Sequence, residues 1–277
     1  MTESKSPRIQ TRSSKSLASG KLVVDEPADG LARIRISNAE KRGALDHEIL
    51  DALAAEVAGQ EARCLLLTGE GPMFSAGYDI GNFSDDDFSR EAESLVAHPF
   101  TAAIEALAAY RFPVVAAING HAIGGGLEVA VTCDIRIAAR GVKLGMPPAK
   151  IGLIYSHTGL RRFIEVCGVA NTNELFLLGR NVDAERGYEM GLVNHVVDPE
   201  ALEETSVAMA AEIAANAPLS LEGNKRVIRT LLDHGWPLPD DLEAELVELR
   251  ESCFFTEDFR EGIRSFAERR PPRWQGR

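Results

Sequence analysis

Two glycine-bearing segments carry the residues best suited to chemistry in this sequence. The first reads TGEGPMFSAGYDI over residues 68–80, and the second reads NGHAIGGGLE over residues 119–128. Glycine lets backbone approach a ligand closely, and the first N–H groups of a following helix point at that ligand. Neither segment matches the phosphate-binding GxxxxGK[ST] or GxGxxG patterns. Together they predict a site for an anion or a developing oxyanion that needs neither lysine nor arginine.

Each glycine segment directly follows a short apolar run, of the kind that forms a strand buried on both faces. These runs are Cys64–Thr68 and Val114–Asn119, and a third is Ile135–Ala138. A helix starting at about His47, with Asp46 as its N-cap, and another over roughly Leu95–Tyr110 are predicted from apolar periodicity. A strand pair, Leu22–Val24 and Ala32–Ile36, precedes them. This alternation predicts a mostly parallel α/β core.

From about His157 the pattern becomes helical. The predicted helices are Leu160–Gly168, Asn173–Leu178, Ala184–Met190, Ala201–Asn216, Leu219–His234, Asp241–Cys253 and Asp258–Glu268. The predicted organisation is a disordered tail over residues 1–19, an α/β body over 20–200 and a helical C-terminal part over 201–277.

Composition limits the classes of partner. The 277 residues include 30 Lys+Arg against 42 Asp+Glu, a net charge of −12, which disfavours nucleic acids and anionic membranes as partners. No apolar run reaches the length of a membrane helix. The four cysteines form no CxxC pair and the histidines no ligand pattern, so free thiols, no metal site and a cytoplasmic location are expected.

Four ordered motifs resemble the crotonase (enoyl-CoA hydratase/isomerase) superfamily. They are NAEKRGAL over residues 38–45, the LTG…FSAGYD stretch over 66–79, the NG…GGGLE stretch running on into Cys133-Asp134, and the end of the chain from Phe254 to Arg270. The resemblance covers roughly residues 20–275. One local departure is Gly43, where family members often carry Asn.

The resemblance implies an α/β fold with a ββα-spiral core and a helical C-terminal trimerisation region, in a homotrimer or hexamer. It also implies an acyl-CoA substrate whose thioester becomes an enolate. The backbone N–H groups of Tyr78 and Gly125 would then form the oxyanion hole, where losing one donor typically costs about 10²–10³ in rate. Coenzyme A would enter as part of the substrate, with no further cofactor.

The acid–base residues depart from the hydratase pattern. Hydratases of the family pair two glutamates, of which the first is Glu128 here, while the second position falls on Pro148. Two carboxylates suit the addition of water, so a single one weakens that interpretation. The residues from Pro148 to Tyr155 look closer to the methylmalonyl-CoA decarboxylase branch, although that branch has histidine where this chain has Tyr78. In decarboxylation the loss of CO₂ makes the enolate directly, and Tyr155 could orient the substrate carboxylate or deliver a proton.

Two alternatives to decarboxylation stay open. One is an enoyl-CoA hydratase that uses Glu128 as its sole carboxylate. The other is a non-catalytic relative that binds RNA or acts as a scaffold, and the acidic balance of the chain argues against RNA.

The resemblance also assigns residues to coenzyme A. Lys41 and Arg42 resemble family positions near the nucleotide, and Arg269 matches a cation contributed by a neighbouring subunit. Backbone around Ala44 and Ala76–Gly77 would hold the adenine. His121 is expected to be structural, and the polar segment Gly81–Val96 is the expected wall of the acyl pocket.

Overall fold

The computed structural model describes residues 13–79 and 96–277. Its N-terminal part is a small antiparallel meander followed by a helix. The strands are β1 (Ser14–Leu17), β2 (Leu22–Ala28) and β3 (Leu31–Ile36), and the helix is α1 (His47–Ala58). Asp46 caps α1, as predicted, by accepting the N–H of Ile49 at 2.9 Å. The predicted disordered tail over 1–19 is wrong for its second part, because β1 pairs along its length with β2; residues 1–12 lie outside the described part.

The body consists of three consecutive units, each with two strands and a helix. The first is β4 (Cys64–Gly69), β5 (Met73–Ser75) and α2 (Thr101–Ala109), the last preceded by a π-helical turn at Val96–Phe100. The second is β6 (Val114–Ile118), β7 (His121–Ile123) and α3 (Gly125–Thr132). The third is β8 (Ile135–Ala139), β9 (Lys143–Gly145) and α4 (His157–Asn173), which continues into a π-helical turn at Glu174–Leu178.

The repeat distributes its strands between two sheets. The first strands of the units, β4, β6 and β8, lie side by side and parallel in the larger sheet, between β3 and β11 (His195–Val197). The second strands, β5, β7 and β9, are parallel neighbours in the smaller sheet, which β10 (Val182–Asp183) closes antiparallel to β9. The predicted, mostly parallel α/β core is confirmed. The first glycine segment includes β5, and the second includes β7 and runs directly into α3.

The later helices divide into two groups. The helices α5 (Ala184–Glu189) and α6 (Leu202–Ala214) lie on the body, and α6 packs directly on β4, β6 and β8. The helices α7 (Pro218–His234), α8 (Asp240–Cys253) and α9 (Glu257–Glu268) follow. The predicted C-terminal part over 201–277 therefore includes one helix, α6, that covers the sheet.

Among the described residues, no helix is long and apolar enough to cross a membrane. The four cysteines are free thiols, with Cys64, Cys133 and Cys167 buried and Cys253 half-buried.

Candidate active site

The Gly77–Tyr78 backbone and the start of α3 lie in direct contact. Gly77 adopts a φ of +89°, and a Cβ there would lie 2.8 Å from the Ile123 carbonyl oxygen and 3.0 Å from the Gly125 nitrogen. Only glycine fits this approach. A β-bridge to Leu45 holds the segment. The N–H of Leu45 donates to the Gly77 carbonyl at 2.8 Å, and the N–H of Asp79 donates to the Leu45 carbonyl at 3.0 Å. The bridge does not use the N–H of Tyr78.

The second donor, Gly125, is the first residue of α3. The N–H groups of Leu127 and Glu128 reach back to the Gly124 carbonyl at 3.0 and 3.1 Å. The N–H of Gly125 belongs to the first turn, whose donors have no acceptor within their own helix. A Cβ on Gly126 would collide with the Ser75 carbonyl, so glycine allows the helix start to sit on the end of β5. The structure thus brings together the two segments that the sequence predicts to form an oxyanion hole.

Glu128 lies one turn into α3 and is 2% exposed. Its Oε2 accepts a hydrogen bond of 2.5 Å from the Tyr155 hydroxyl, and its Oε1 accepts one of 3.1 Å from Nη1 of Arg162. Burial raises the pKa of the Glu128 carboxyl, while the Tyr155 hydrogen bond and the Arg162 charge oppose that increase. The position therefore holds a carboxyl group that can gain or lose a proton next to the oxyanion-hole segment.

Tyr155 lies just before α4, whose N-cap Ser156 accepts the N–H of Gly159 at 3.1 Å. Its ring packs edge-on against Phe176, with centroids 5.4 Å apart. A Cβ on Gly159 would lie 2.6 Å from the Tyr155 ring and 3.0 Å from Oε1 of Glu128, so this turn is built for close approach. Burial holds the pKa of the Tyr155 phenol well above its usual value. The phenol therefore stays protonated and acts as a donor to Glu128.

The side chain of Tyr78 also belongs to the site. Its ring packs edge-on against Phe100, with centroids 4.8 Å apart, and would meet a Cβ on Gly125 at 2.9 Å. Burial raises the pKa of the Tyr78 phenol, and the Tyr155 hydroxyl is close enough to oppose that increase. Two phenols thus extend from the oxyanion-hole segment to Glu128.

Sequence reasoning missed Arg162 and Phe100. Arg162 lies seven residues, or about two helical turns, after Tyr155. Tyr155 precedes the helix and Arg161 adjoins Arg162, so the sequence held no signal that separates Arg162 from its neighbour. Phe100 ends the π-helical turn before α2, and nothing in the local sequence indicates that its ring meets Tyr78. Pro148, at the position of the second glutamate, is buried in a 3₁₀ turn over Pro148–Ile151.

Except for Arg269, the residues assigned to coenzyme A lie together at one edge of this site. The N–H of Ala76 donates to the carbonyl of Arg42 at 3.0 Å, and Nζ of Lys41 lies 2.6 Å from Oδ2 of Asp79. The Ala44 carbonyl accepts the side-chain amide of Asn38 at 2.8 Å. The segments around residues 41–44 and 76–79 are thus joined.

Other predicted residues fall elsewhere. Arg269 is exposed at the C-terminal end of α9, and its contribution from a neighbouring subunit stays a prediction. Nδ1 of His121 accepts the N–H of Lys143 at 2.9 Å, a contact that joins β7 to β9. Apart from Val96, the expected pocket wall over Gly81–Val96 lies outside the described residues. No group of three or more His, Cys, Asp or Glu residues within the described ranges could hold a metal ion.

Known proteins match most of this chain in sequence and in fold. The model of the enoyl-CoA hydratase/isomerase family matches residues 26–277. The chain belongs to this family. It is an acyl-CoA-processing member, and the crotonase-type fold expected from the four motifs is confirmed.

Relatives within the family carry several reaction names. The chain is 29% identical over 257 residues to a short-chain-enoyl-CoA hydratase of Clostridium acetobutylicum, covering 90% of this chain and 95% of the relative. It is 31% identical over 226 residues to a carnitinyl-CoA dehydratase of Citrobacter koseri, covering 78% and 83%. Among solved structures, DspI of Pseudomonas aeruginosa matches with a TM-score of 0.83 and 33% identity, over 93% of this chain and 97% of that one.

Proposed function

We propose that this enoyl-CoA hydratase/isomerase family member adds water to, or removes it from, an acyl-CoA thioester, with Glu128 as the one carboxylate that moves the proton. The observation that carries the proposal is the buried Glu128 carboxyl, held at 2.5 Å by the Tyr155 hydroxyl and at 3.1 Å by Arg162, in the first turn of the helix that begins at Gly125. Family relatives named as hydratases and dehydratases support this reaction type.

The oxyanion hole takes the charge that develops in the reaction. The N–H groups of Tyr78 and Gly125 donate to the thioester oxygen, and they are fixed before the substrate arrives. Donors aimed at a developing oxyanion stabilise the transition state more than the ground state. No lysine or arginine is needed at this point, in keeping with the acidic balance of the chain.

Glu128 can complete the proton balance alone. In hydration, the oxygen of a water molecule forms a bond to the β-carbon while Glu128 accepts one of its protons. The thioester becomes an enolate held by Tyr78 and Gly125. The same proton then passes from Glu128 to the α-carbon, which restores the carboxylate. Dehydration is the reverse, and the raised pKa of Glu128 suits a group that must both take and return a proton.

Decarboxylation of a methylmalonyl-CoA-like substrate is the second candidate. It is favoured by Pro148 at the place of the second glutamate and by a Tyr155 phenol that stays protonated. Loss of CO₂ breaks the carbon–carbon bond and leaves its electron pair as the enolate. Only a later proton donation to the α-carbon is then required. In this reaction the Glu128 carboxylate would not act as a base.

Turnover of crotonyl-CoA and methylmalonyl-CoA, measured side by side with wild type and Glu128→Gln, separates the two reactions. Hydration predicts turnover of crotonyl-CoA that Glu128→Gln lowers by about 10²–10⁴ while acyl-CoA binding persists. Turnover of methylmalonyl-CoA alone, kept in Glu128→Gln, would establish decarboxylation instead. Turnover of neither, with coenzyme A still bound, would refute both reactions.

Coenzyme A recognition is proposed at the joined edge formed by residues 41–44 and 76–79. Lys41 and Arg42 would meet the phosphates there, and backbone around Ala44 and Gly77 would hold the adenine. Thermal unfolding with millimolar coenzyme A tests this. A rise in melting temperature that Lys41→Ala reduces is expected, and no stabilisation would favour a non-catalytic scaffold.

We also propose that the C-terminal helices mediate assembly into a homotrimer or a hexamer. Apolar side chains on and around α9 are exposed in the single chain, among them Phe255, Ile263 and Phe266 at 76%, 60% and 88%. Surface of this kind marks an interaction site. Light scattering of the purified chain tests the proposal, and a monomer at micromolar concentration would refute it.

A further inference from the structure

Two adjacent arginines on α4 face different surroundings. Nη1 of Arg162 lies 3.1 Å from Oε1 of Glu128, and the two side chains are 22% and 3% exposed. Arg161 instead lies 2.5 Å from Glu165 and 2.9 Å from Asp233, and its side chain is 47% exposed. One cation therefore serves the buried carboxyl of the site, and its neighbour serves the surface.

Burial disfavours the ionised form of Glu128, and two contacts, with Tyr155 and Arg162, favour it. Burial raises the pKa of its carboxyl, because the charged form loses hydration. Tyr155 supplies a neutral donor, and Arg162 supplies a full positive charge. A cation within about 4–6 Å of a carboxyl favours the ionised form, most strongly where water is excluded. Arg162 is the contact that opposes burial by charge.

Arg162 also has an open side. It lines a cleft of about 420 Å³ between α2, α4 and α7, together with Glu105, Glu165 and Arg229. The guanidinium thus spans from a charged, open cleft to a carboxyl that is 3% exposed. Because the Arg162 side chain is 22% exposed, the cation keeps part of its hydration while Nη1 contacts Glu128.

We propose that Arg162 is a positioning residue that keeps the Glu128 carboxyl ionised and turned toward Tyr155, ready to accept a proton. The proposal rests on Glu128 being the proton-moving group of the proposed function. It assigns Arg162 no contact with the substrate. We expect its loss to change kcat and the pH at which kcat reaches half its maximum, with KM for the acyl-CoA unchanged.

Other charged or titratable groups near Glu128 are few in the described ranges. Tyr155 faces it from the turn before α4, and Tyr78 from the segment after β5. Among the elements packed on α3, β7 contributes His121, which is tied to Lys143, and α2 contributes Glu105, which lines the outer cleft. The strand β5 carries no ionisable side chain. Arg162 is thus the cation that contacts Glu128.

The decisive measurement is a direct titration of Glu128 in the full chain. The infrared band of a protonated carboxyl that disappears in Glu128→Gln is followed against pH in wild type, Arg162→Gln and Arg161→Gln. Arg162→Gln is expected to move the titration to higher pH, whereas Arg161→Gln, one residue away on the same helix, leaves it unchanged. Kinetically, the pH at which kcat reaches half its maximum should rise in Arg162→Gln, so that below this pH kcat falls about tenfold for each unit of the rise and recovers as the pH is raised.

The outcomes separate this inference from the proposed function. Identical titrations in wild type and Arg162→Gln would overturn the role of Arg162, whatever the activity. A shifted titration in a chain that turns over no acyl-CoA would keep the role of Arg162 and refute the proposed function. If Arg162→Gln does not fold, Arg162→Lys is compared with Arg161→Lys. The shorter lysine contacts Glu128 less well, so a smaller shift in the same direction is expected, and equal titrations would overturn the proposal.

Discussion

Nζ of Lys225 lies 2.7 Å from Oδ2 of Asp134 and 2.8 Å from the Phe112 carbonyl oxygen. The same carboxylate accepts the N–H of Val114 at 2.8 Å and, through Oδ1, contacts Arg229 at 3.0 Å. Lys225 and Arg229 are on α7, whereas Asp134 precedes β8. One aspartate therefore joins α7 to the first residues of β6 and β8, beside the unit that carries the oxyanion hole.

Asp134→Ala is expected to lower the free energy of unfolding by about 3 kcal/mol. The substitution leaves the Lys225 ammonium, which is 9% exposed, without its carboxylate, and an uncompensated buried charge is costly. Urea unfolding measures the change. Asp198→Ala is the matched control, because Asp198 pairs with Arg140 in an exposed ion pair and its loss should have little effect. Equal stability of the two variants would show that the Asp134 cluster does not anchor α7.

Gly125→Ala is expected to lower kcat for the acyl-CoA by about 10²–10³ while leaving the chain folded. The added Cβ would lie 2.9 Å from the Tyr78 ring, so the two segments that provide the oxyanion-hole donors must move apart. Gly223→Ala is the control, because a Cβ there meets nothing within 4 Å on α7. Unchanged kcat in Gly125→Ala would contradict the assignment of this N–H.

The sequence predicts the fold correctly wherever the local apolar pattern matches the burial of the residues in the structure. Cys64–Thr68 and Ile135–Ala138 are apolar because they lie between parallel neighbours, so their runs predict the strands β4 and β8 within a residue or two. Asp46 predicts the start of α1 because its side chain caps the helix. The strand β1 was missed because Ser14–Leu17 is polar and mostly exposed at the sheet edge.

The sequence predicts only part of the site. Glycine spacing predicts the oxyanion-hole segments because glycine alone permits that backbone approach. The partners of Glu128 depend on how α4 lies against α3, which no local pattern encodes. Arg162 therefore looks like Arg161 in the sequence, and only the tertiary contact distinguishes the arginine beside Glu128 from the one at the surface.

Tyr155→Phe is expected to lower kcat roughly tenfold or more, since it removes the 2.5 Å hydrogen bond that orients Glu128 and preserves the ring packing on Phe176. Steady-state kinetics with the active acyl-CoA measures the effect. Tyr110→Phe is the control, because Tyr110 is another buried phenol whose hydroxyl donates to the Ala62 carbonyl, away from the site. Equal kcat in both variants would leave Tyr155 a packing residue.

The thiols predict a chemical test of the packing. Burial raises the pKa of Cys64 and Cys133 to about 12, and it also raises that of Cys167, so these groups stay protonated and unreactive at pH 8. A thiol reagent should therefore modify Cys253 first in the folded chain and all four cysteines in urea. Rapid reaction of more than one thiol per native chain would contradict the packing around β4, α3 and α4. Cys253→Ser identifies the fast site.

Stability should fall as the pH rises through the titration of Glu128. Its folded pKa is raised above the unfolded value of 4.5, so between these two values the folded chain holds a proton that the unfolded chain has released. The stabilising contribution is complete below pH 4.5 and is lost as the pH rises through the folded pKa. Glu128→Gln cannot titrate and should show a flatter dependence, together with greater stability than wild type above that window. Urea unfolding of both proteins at intervals from pH 4.5 to 8 measures the difference, and parallel curves would show that the folded environment of Glu128 does not favour its protonated form.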